Sequence, residues 1–156
     1  MLSANRPQDR ADVLRKYSDT GSRTGDSKKG AAIFEKNCSV CHALRGVGHV
    51  VGPDLAAWRD KSSQDFVVAI LDPNAAIEPR FINYQIETRD GRSLSGVISG
   101  ETATSVTLVQ PGGASEQLLR SEVTAIKASP LSLMPEGLEQ VISPQDLADL
   151  IRYFKN

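Results

Sequence analysis

The stretch EKNCSVCHALRG, residues 35–46, holds both cysteines and one of the two histidines of a 156-residue chain. Cys38 and Cys41 stand three apart, and His42 follows the second directly. Two thiols at this spacing, with an imidazole beside them, are the pattern for covalent attachment of a c-type haem. Cys38 and Cys41 would add to the two vinyl groups on one porphyrin edge. His42 would reach the iron from the proximal face. Its other ring nitrogen would then need an acceptor to fix the tautomer, commonly a backbone carbonyl.

Two other chemistries compete for these residues. A redox dithiol belongs in a strand-to-helix context of thioredoxin type, whereas here the motif ends a helical stretch. Structural zinc wants four ligands, and Cys38, Cys41, His42 and His49 make four on paper. Cys41 and His42 are adjacent, however, which strains a tetrahedral site, and the usual second ligand pair is missing. The haem reading leads.

The opposite face of the iron is a census problem, because the chain has few soft or imidazole donors. Met134, His49 and Met1 are the candidates, with lysine a remote option. Met1 is terminal. His49 follows His42 by seven residues through the glycine-rich HALRGVGHVVG and reads as an exposed loop histidine. Met134 stands in SPLSLMPEGL, a loop bounded by proline and glycine. A lone methionine often fills a core, but with a haem to ligate the census favours Met134.

Around the motif the sequence alternates in character. Residues 1–24 read as an N-terminal extension, a short helix in PQDRADVLRKYSD followed by a linker in TGSRTGDS. A helix is expected from Asp26 or Ser27 to Cys38, with Gly30, Phe34 and Cys38 on one face. KSSQDFVVAILDP gives a second, capped by Ser62 and stopped at Asp72-Pro73. Residues 83–128 turn to alternating patterns around Asp-Gly and Pro-Gly-Gly, the signals of antiparallel hairpins. Helix returns in SPQDLADLIRYFKN, with Ser143 as N-cap and Leu147, Leu150, Ile151 and Phe154 as its buried stripe.

Composition sets wider bounds. The chain is 40% hydrophobic and 24% charged, with net charge −1, the profile of an ordinary globular protein. Nothing in the total charge suggests nucleic acid or an anionic membrane. Charge is uneven, positive over residues 1–50 and negative beyond, an asymmetry that can bias partner docking. No apolar run approaches the ~18 residues of a membrane span, and the start has no apolar h-region of a signal peptide.

Gly30, Phe34 and Cys38, the Cys-x-x-Cys-His, Gly52-Pro53-Asp54-Leu55, the Met134 loop and DLIRYFK together resemble class I cytochrome c. GPDL, AILDPNAAIEP, DGRSLSGVI and SLMPEGL, in that order, are similar to the haem-binding domain named for planctomycete and verrucomicrobial bacteria. The resemblance covers about residues 25–156. It implies a mainly α cytochrome c fold, three to four helices around a haem, with a small antiparallel β-sheet inserted over 83–128 before the Met134 loop. The first and last helices would cross near Gly30, with Phe34 and Tyr153 packed around the crossing. The Pro53 carbonyl would accept the His42 ring N–H.

The expected function is electron transfer, not enzymatic catalysis, by one covalently attached haem c whose iron is held by His42 and Met134. A redox partner is expected, a dehydrogenase donor or a downstream acceptor, with no nucleic acid. Members of the family often end large secreted or periplasmic proteins, so a periplasmic or exported location is implied. A haem sensor or catalytic haem with an open sixth position is the alternative.

Overall fold

A computed structural model describes residues 6–156 of the chain. Among the described residues there are four α-helices: α1 (Arg6–Lys16), α2 (Ser27–Asn37), α3 (Ser63–Leu71) and α4 (Pro144–Lys155). Two short strands, β1 (Ala43–Leu44) and β2 (Val47–Gly48), pair just after the cysteines. Five more follow: β3 (Asn83–Thr88), β4 (Ser93–Glu101), β5 (Ser105–Val109), β6 (Ser115–Leu119) and β7 (Val123–Ala128). The described chain forms two compact units, one of residues 6–37, 55–76 and 134–156, the other of residues 38–54 and 77–133.

The first unit is helical, and its helix ends are set by local chemistry. Ser62 and Asp65 form a reciprocal capping box at the start of α3, and Ser143 and Asp146 form another at α4. Pro144 occupies the first turn of α4, where its missing N–H costs nothing. Asp26 accepts the Lys28 and Lys29 N–H groups at the start of α2. Those two N–H groups hold its carboxyl below the usual range, that of Lys29 most.

Gly30 lets α2 meet α4 closely, since a Cβ there would fall on the Asp149 carbonyl. Around this approach Phe34 is fully buried. Its ring lies 5.6 Å from Tyr153 and meets Phe154 edge-on at 6.1 Å. Phe66 of α3 stacks on Phe154 at 5.4 Å, and Trp58 tilts onto Phe66 at 5.7 Å. Such aromatic contacts add about 1 kcal/mol each beyond the area they bury.

Residues 10–26 are tied into this unit. Arg10 donates to the Leu71 carbonyl and pairs with Glu139. Tyr17 is buried, and its hydroxyl donates to the Ile142 carbonyl. Asp149 is 3% exposed and accepts the Asp26 N–H at 2.8 Å and the Gln145 amide at 3.0 Å. These bonds repay its burial.

The second unit is built on an antiparallel sheet with strand order β6-β5-β4-β3-β7. Ile86, Val106, Leu108 and Leu118 form its fully buried core, flanked by Leu94, Ile98, Val123 and Ile126. The β3–β4 turn has Gly91 at φ +87°, and the β5–β6 turn has Gly112 and Gly113 at +89° and +83°. Glycine is the residue for which such angles carry no steric penalty.

The expectation of a mainly α fold is corrected here. The described residues hold a five-stranded antiparallel sheet as well as their helices, a mixed α and β protein. The sheet is no small addition to a helical core: its five strands bury an apolar core of their own, and they share a compact unit with residues 38–54. Among the described residues no helix is long and apolar enough to cross a membrane.

Candidate functional site

Residues 38–53 form a tight loop whose carbonyls are satisfied one by one. The Cys38 carbonyl accepts the Cys41 and His42 N–H groups, at 3.1 and 2.9 Å, continuing the turn out of α2. The Ser39 carbonyl accepts the His49 N–H at 3.0 Å. That of Cys41 accepts both Val51 and Gly52, at 2.9 and 2.8 Å. The Val40 carbonyl takes its donor from the sheet, the Gly112 N–H at 2.7 Å. Loop closure therefore rests on the main chain, and the Ser39 and Val40 side chains take no part in these bonds.

The loop doubles back to grip the imidazole of His42. Its Nδ1 lies 3.0 Å from the Pro53 carbonyl oxygen. A carbonyl can only accept, so Nδ1 carries the proton and Nε2 keeps its lone pair. Gly52 sits under the ring: a Cβ there would come within 2.6 Å of His42 Cε1. Burial lowers the His42 pKa, with the Pro53 carbonyl pulling the other way. A neutral imidazole in a fixed tautomer is the form that binds a metal.

The thiols have a different character. Burial, with a smaller push from Cys41, raises the Cys38 pKa to about 12. Burial raises that of Cys41 as well. Reactive redox cysteines show the opposite, a depressed pKa in an electropositive setting. Among the described residues, no three His, Cys, Asp or Glu side chains are grouped so that they could hold a metal ion, which counts against the four-ligand zinc reading. His49 points elsewhere: its ring lies against Gly113, where a Cβ would be 2.7 Å from Nδ1.

Cys38, Cys41, His42 and Pro53 thus belong to one compact unit, the one that holds the sheet. Met134 belongs to the other. It is half-buried in the loop that precedes the short 3-10 turn Leu138–Gln140. Met1 lies outside the described residues. Two participants have no signal in the motif itself. Gly52 reads in sequence as part of a glycine-rich loop, yet it seats the ring. Gly112 reads as a turn residue, yet its N–H reaches the segment between the cysteines.

The cytochrome c family profile matches residues 27–128 of the chain, well over half its length. The chain belongs to the cytochrome c family. The match takes in Cys38, Cys41, His42 and Pro53 and ends before Met134. Similarity to individual cytochromes is confined to short stretches. A cytochrome c-553-like protein of Synechocystis sp. is 39% identical over 44 residues, 28% of this chain and 41% of that protein. A cytochrome c of Cochliobolus lunatus is 47% identical over 36 residues, 22% of this chain and 33% of its own. One from Arabidopsis thaliana is 49% identical over 35 residues, 22% and 31%. The chain spans less than half the length of these relatives.

Membership in the cytochrome c family brings one covalently attached haem c with its iron. The donor set fits that group. Two neutral thiols stand at the required spacing, and the adjacent imidazole is held as the Nδ1–H tautomer with Nε2 available. A cytochrome c domain is a haem-binding electron carrier.

Proposed function

We propose that this chain is a single-haem electron carrier in which Cys38 and Cys41 hold the porphyrin through thioethers and His42 and Met134 ligate the iron. The observation that carries the proposal is the fixed His42 ring, hydrogen-bonded to Pro53 and seated on Gly52. When bound, the haem would supply a one-electron couple, and a methionine thioether together with a histidine as donors would raise its potential. The protein's part is positional. Cys38 and Cys41 anchor one edge of the ring system. Pro53 fixes which nitrogen of His42 is the donor and makes that nitrogen more basic. Met134 would be the second protein donor to the iron, which would then keep no position for a substrate.

The order of GPDL, AILDPNAAIEP, DGRSLSGVI and SLMPEGL supports placing the chain with the planctomycete and verrucomicrobial haem-binding domains. On that reading residues 25–156 are the haem-binding domain, residues 83–128 an insertion, and residues 1–24 an extension. The donor is a dehydrogenase and the location periplasmic or exported. A sensor or catalytic haem with a displaceable sixth ligand is the second reading. It is favoured by the setting of Met134, in a loop between Pro130 and Pro135 rather than on a helix or strand.

The optical spectrum of the purified holoprotein separates the two. Electron transfer with His/Met ligation predicts the weak far-red band of Met-bound ferric haem, lost in Met134→Ala. Absence of that band in the wild type, with carbon monoxide binding to the reduced form at neutral pH, moves the sensor reading ahead.

A further inference from the structure

The segment between the two cysteines is held from a direction that the attachment motif does not announce. Four carbonyls run from Cys38 to Cys41. Those of Cys38, Ser39 and Cys41 find donors within residues 41–52, whereas the Val40 carbonyl is bonded by the Gly112 N–H at 2.7 Å. Gly112 belongs to the five-residue turn Gln110–Ala114, which joins β5 to β6 at the rim of the sheet. The same turn makes a second contact with the loop, since the His49 ring lies on the bare Cα of Gly113. The His49 N–H, in turn, is the donor to the Ser39 carbonyl. Ser39 and Val40, the two residues between the thioether positions, are thus both fixed through the 110–114 turn, one directly and one by way of His49.

The hairpin closes on Gln110 and Ala114, with the Gln110 N–H donating to the Ala114 carbonyl at 2.9 Å, so the loop proper is Pro111, Gly112 and Gly113. Positive-φ glycine is what a three-residue hairpin loop uses. Closing the hairpin does not account for the Gly112 N–H reaching the Val40 carbonyl, nor for the imidazole seated on Gly113.

We infer that the 110–114 turn is a positioning device for the haem: Gly112 and the Gly113–His49 contact clamp the Ser39–Val40 backbone, and through Cys38 and Cys41 they set the seating of the ring edge and its exposure to water. The inference rests on residues 38–42 being the haem attachment segment, and it deepens the electron-carrier reading by naming a residue set that tunes the couple. A looser segment lets water approach the ring edge. Water stabilises the more highly charged ferric state, so the potential falls.

The test is made on holoprotein matured with its attachment machinery. Residues 111–113 are replaced by Asn-Gly, which closes the hairpin between Gln110 and Ala114 without reaching Val40. Two quantities are read: the midpoint potential, and amide hydrogen exchange of His49, Val51 and Gly52, with the β3–β4 amides as the check that the sheet is folded. The expected result is a downward potential shift equal to about a threefold change in the ferrous-to-ferric ratio, together with roughly tenfold faster exchange at the three loop amides. A folded sheet with either quantity unchanged overturns the inference.

Should the shortened chain fail to fold, Gly113→Asn decides. Asparagine tolerates a positive φ but brings its Cβ against the His49 ring. That variant must lower the potential and speed exchange at the loop amides, and His49→Ala, which takes the ring out of the contact, must move both in the same direction. Absence of the effect in either variant overturns the inference. The ligand reading fails separately, through a missing far-red band in the wild type, so the two failures are distinguishable.

Discussion

The helical unit and the attachment loop are held by opposite means. In the helical unit the work is done by side chains: Phe34, Phe66, Tyr153 and Phe154 fill the space around the close approach of α2 and α4. In the loop it is done by the main chain, with donors at Cys41, His42, His49, Val51, Gly52 and Gly112 meeting the carbonyls of residues 38–41. The difference decides what each region tolerates. A packed region is sensitive to volume, because interiors are as dense as organic crystals. A region held by backbone bonds is sensitive to whatever displaces an N–H or a carbonyl, and indifferent to side chains that point away.

The largest effect should come from Phe34→Ala. It removes the fully buried ring that touches both Tyr153 and Phe154 and should cost about 4 kcal/mol in chemical denaturation. A loss below about 1 kcal/mol would break the comparison at its helical end. Next comes Gly30→Ala, whose added methyl meets the Asp149 main chain, which cannot swing aside. The expected loss is about 3 kcal/mol.

Gly52→Ala probes the other region. Its Cβ would press on the His42 ring, costing about 2 kcal/mol and displacing the imidazole from the Pro53 carbonyl. The check is a changed haem spectrum beside a lowered denaturation midpoint, a pair that Gly30→Ala should not produce. Ser143→Ala removes the cap of α4 and should lower stability by about 1 kcal/mol without altering the spectrum.

The smallest effect is electrostatic. The hydrogen bond from Arg10 holds the Glu139 carboxyl below its ordinary 4.5. The folded state therefore binds its proton less readily than the unfolded chain. The resulting stability is complete above pH 4.5 and is lost as pH falls through the depressed folded value. Arg10→Met should flatten that acid limb by less than about 1 kcal/mol, since the pair is partly exposed. An acid limb as steep as in the wild type would show that other carboxylates set it.

What sequence alone made legible follows the same division. The proposed attachment motif is five contiguous residues, so as a candidate it is visible in the sequence directly. The two capping boxes and the apolar stripe of α4 are equally local. Strand positions in 83–128 follow from alternation and turn residues. The balance between helix and sheet did not follow. The independent core of Ile86, Val106, Leu108 and Leu118 depends on register between strands, and the mainly α expectation rests on the resemblance to class I cytochrome c, which says nothing of that core. The Gly112 contact was out of reach for a simpler reason. It joins two main-chain groups 72 positions apart, and main-chain groups are the same in every residue. The positive φ of Gly112 and Gly113 explains their presence as turn residues so fully that a second use leaves no trace in composition.

Val40 is held by its carbonyl while the residue is 51% exposed. Position 40 is therefore an address for engineering. A bio-orthogonal handle placed there would stand between Cys38 and Cys41, the proposed haem anchors, to wire the protein to an electrode or carry a dye, without touching the main-chain bonds that close the loop.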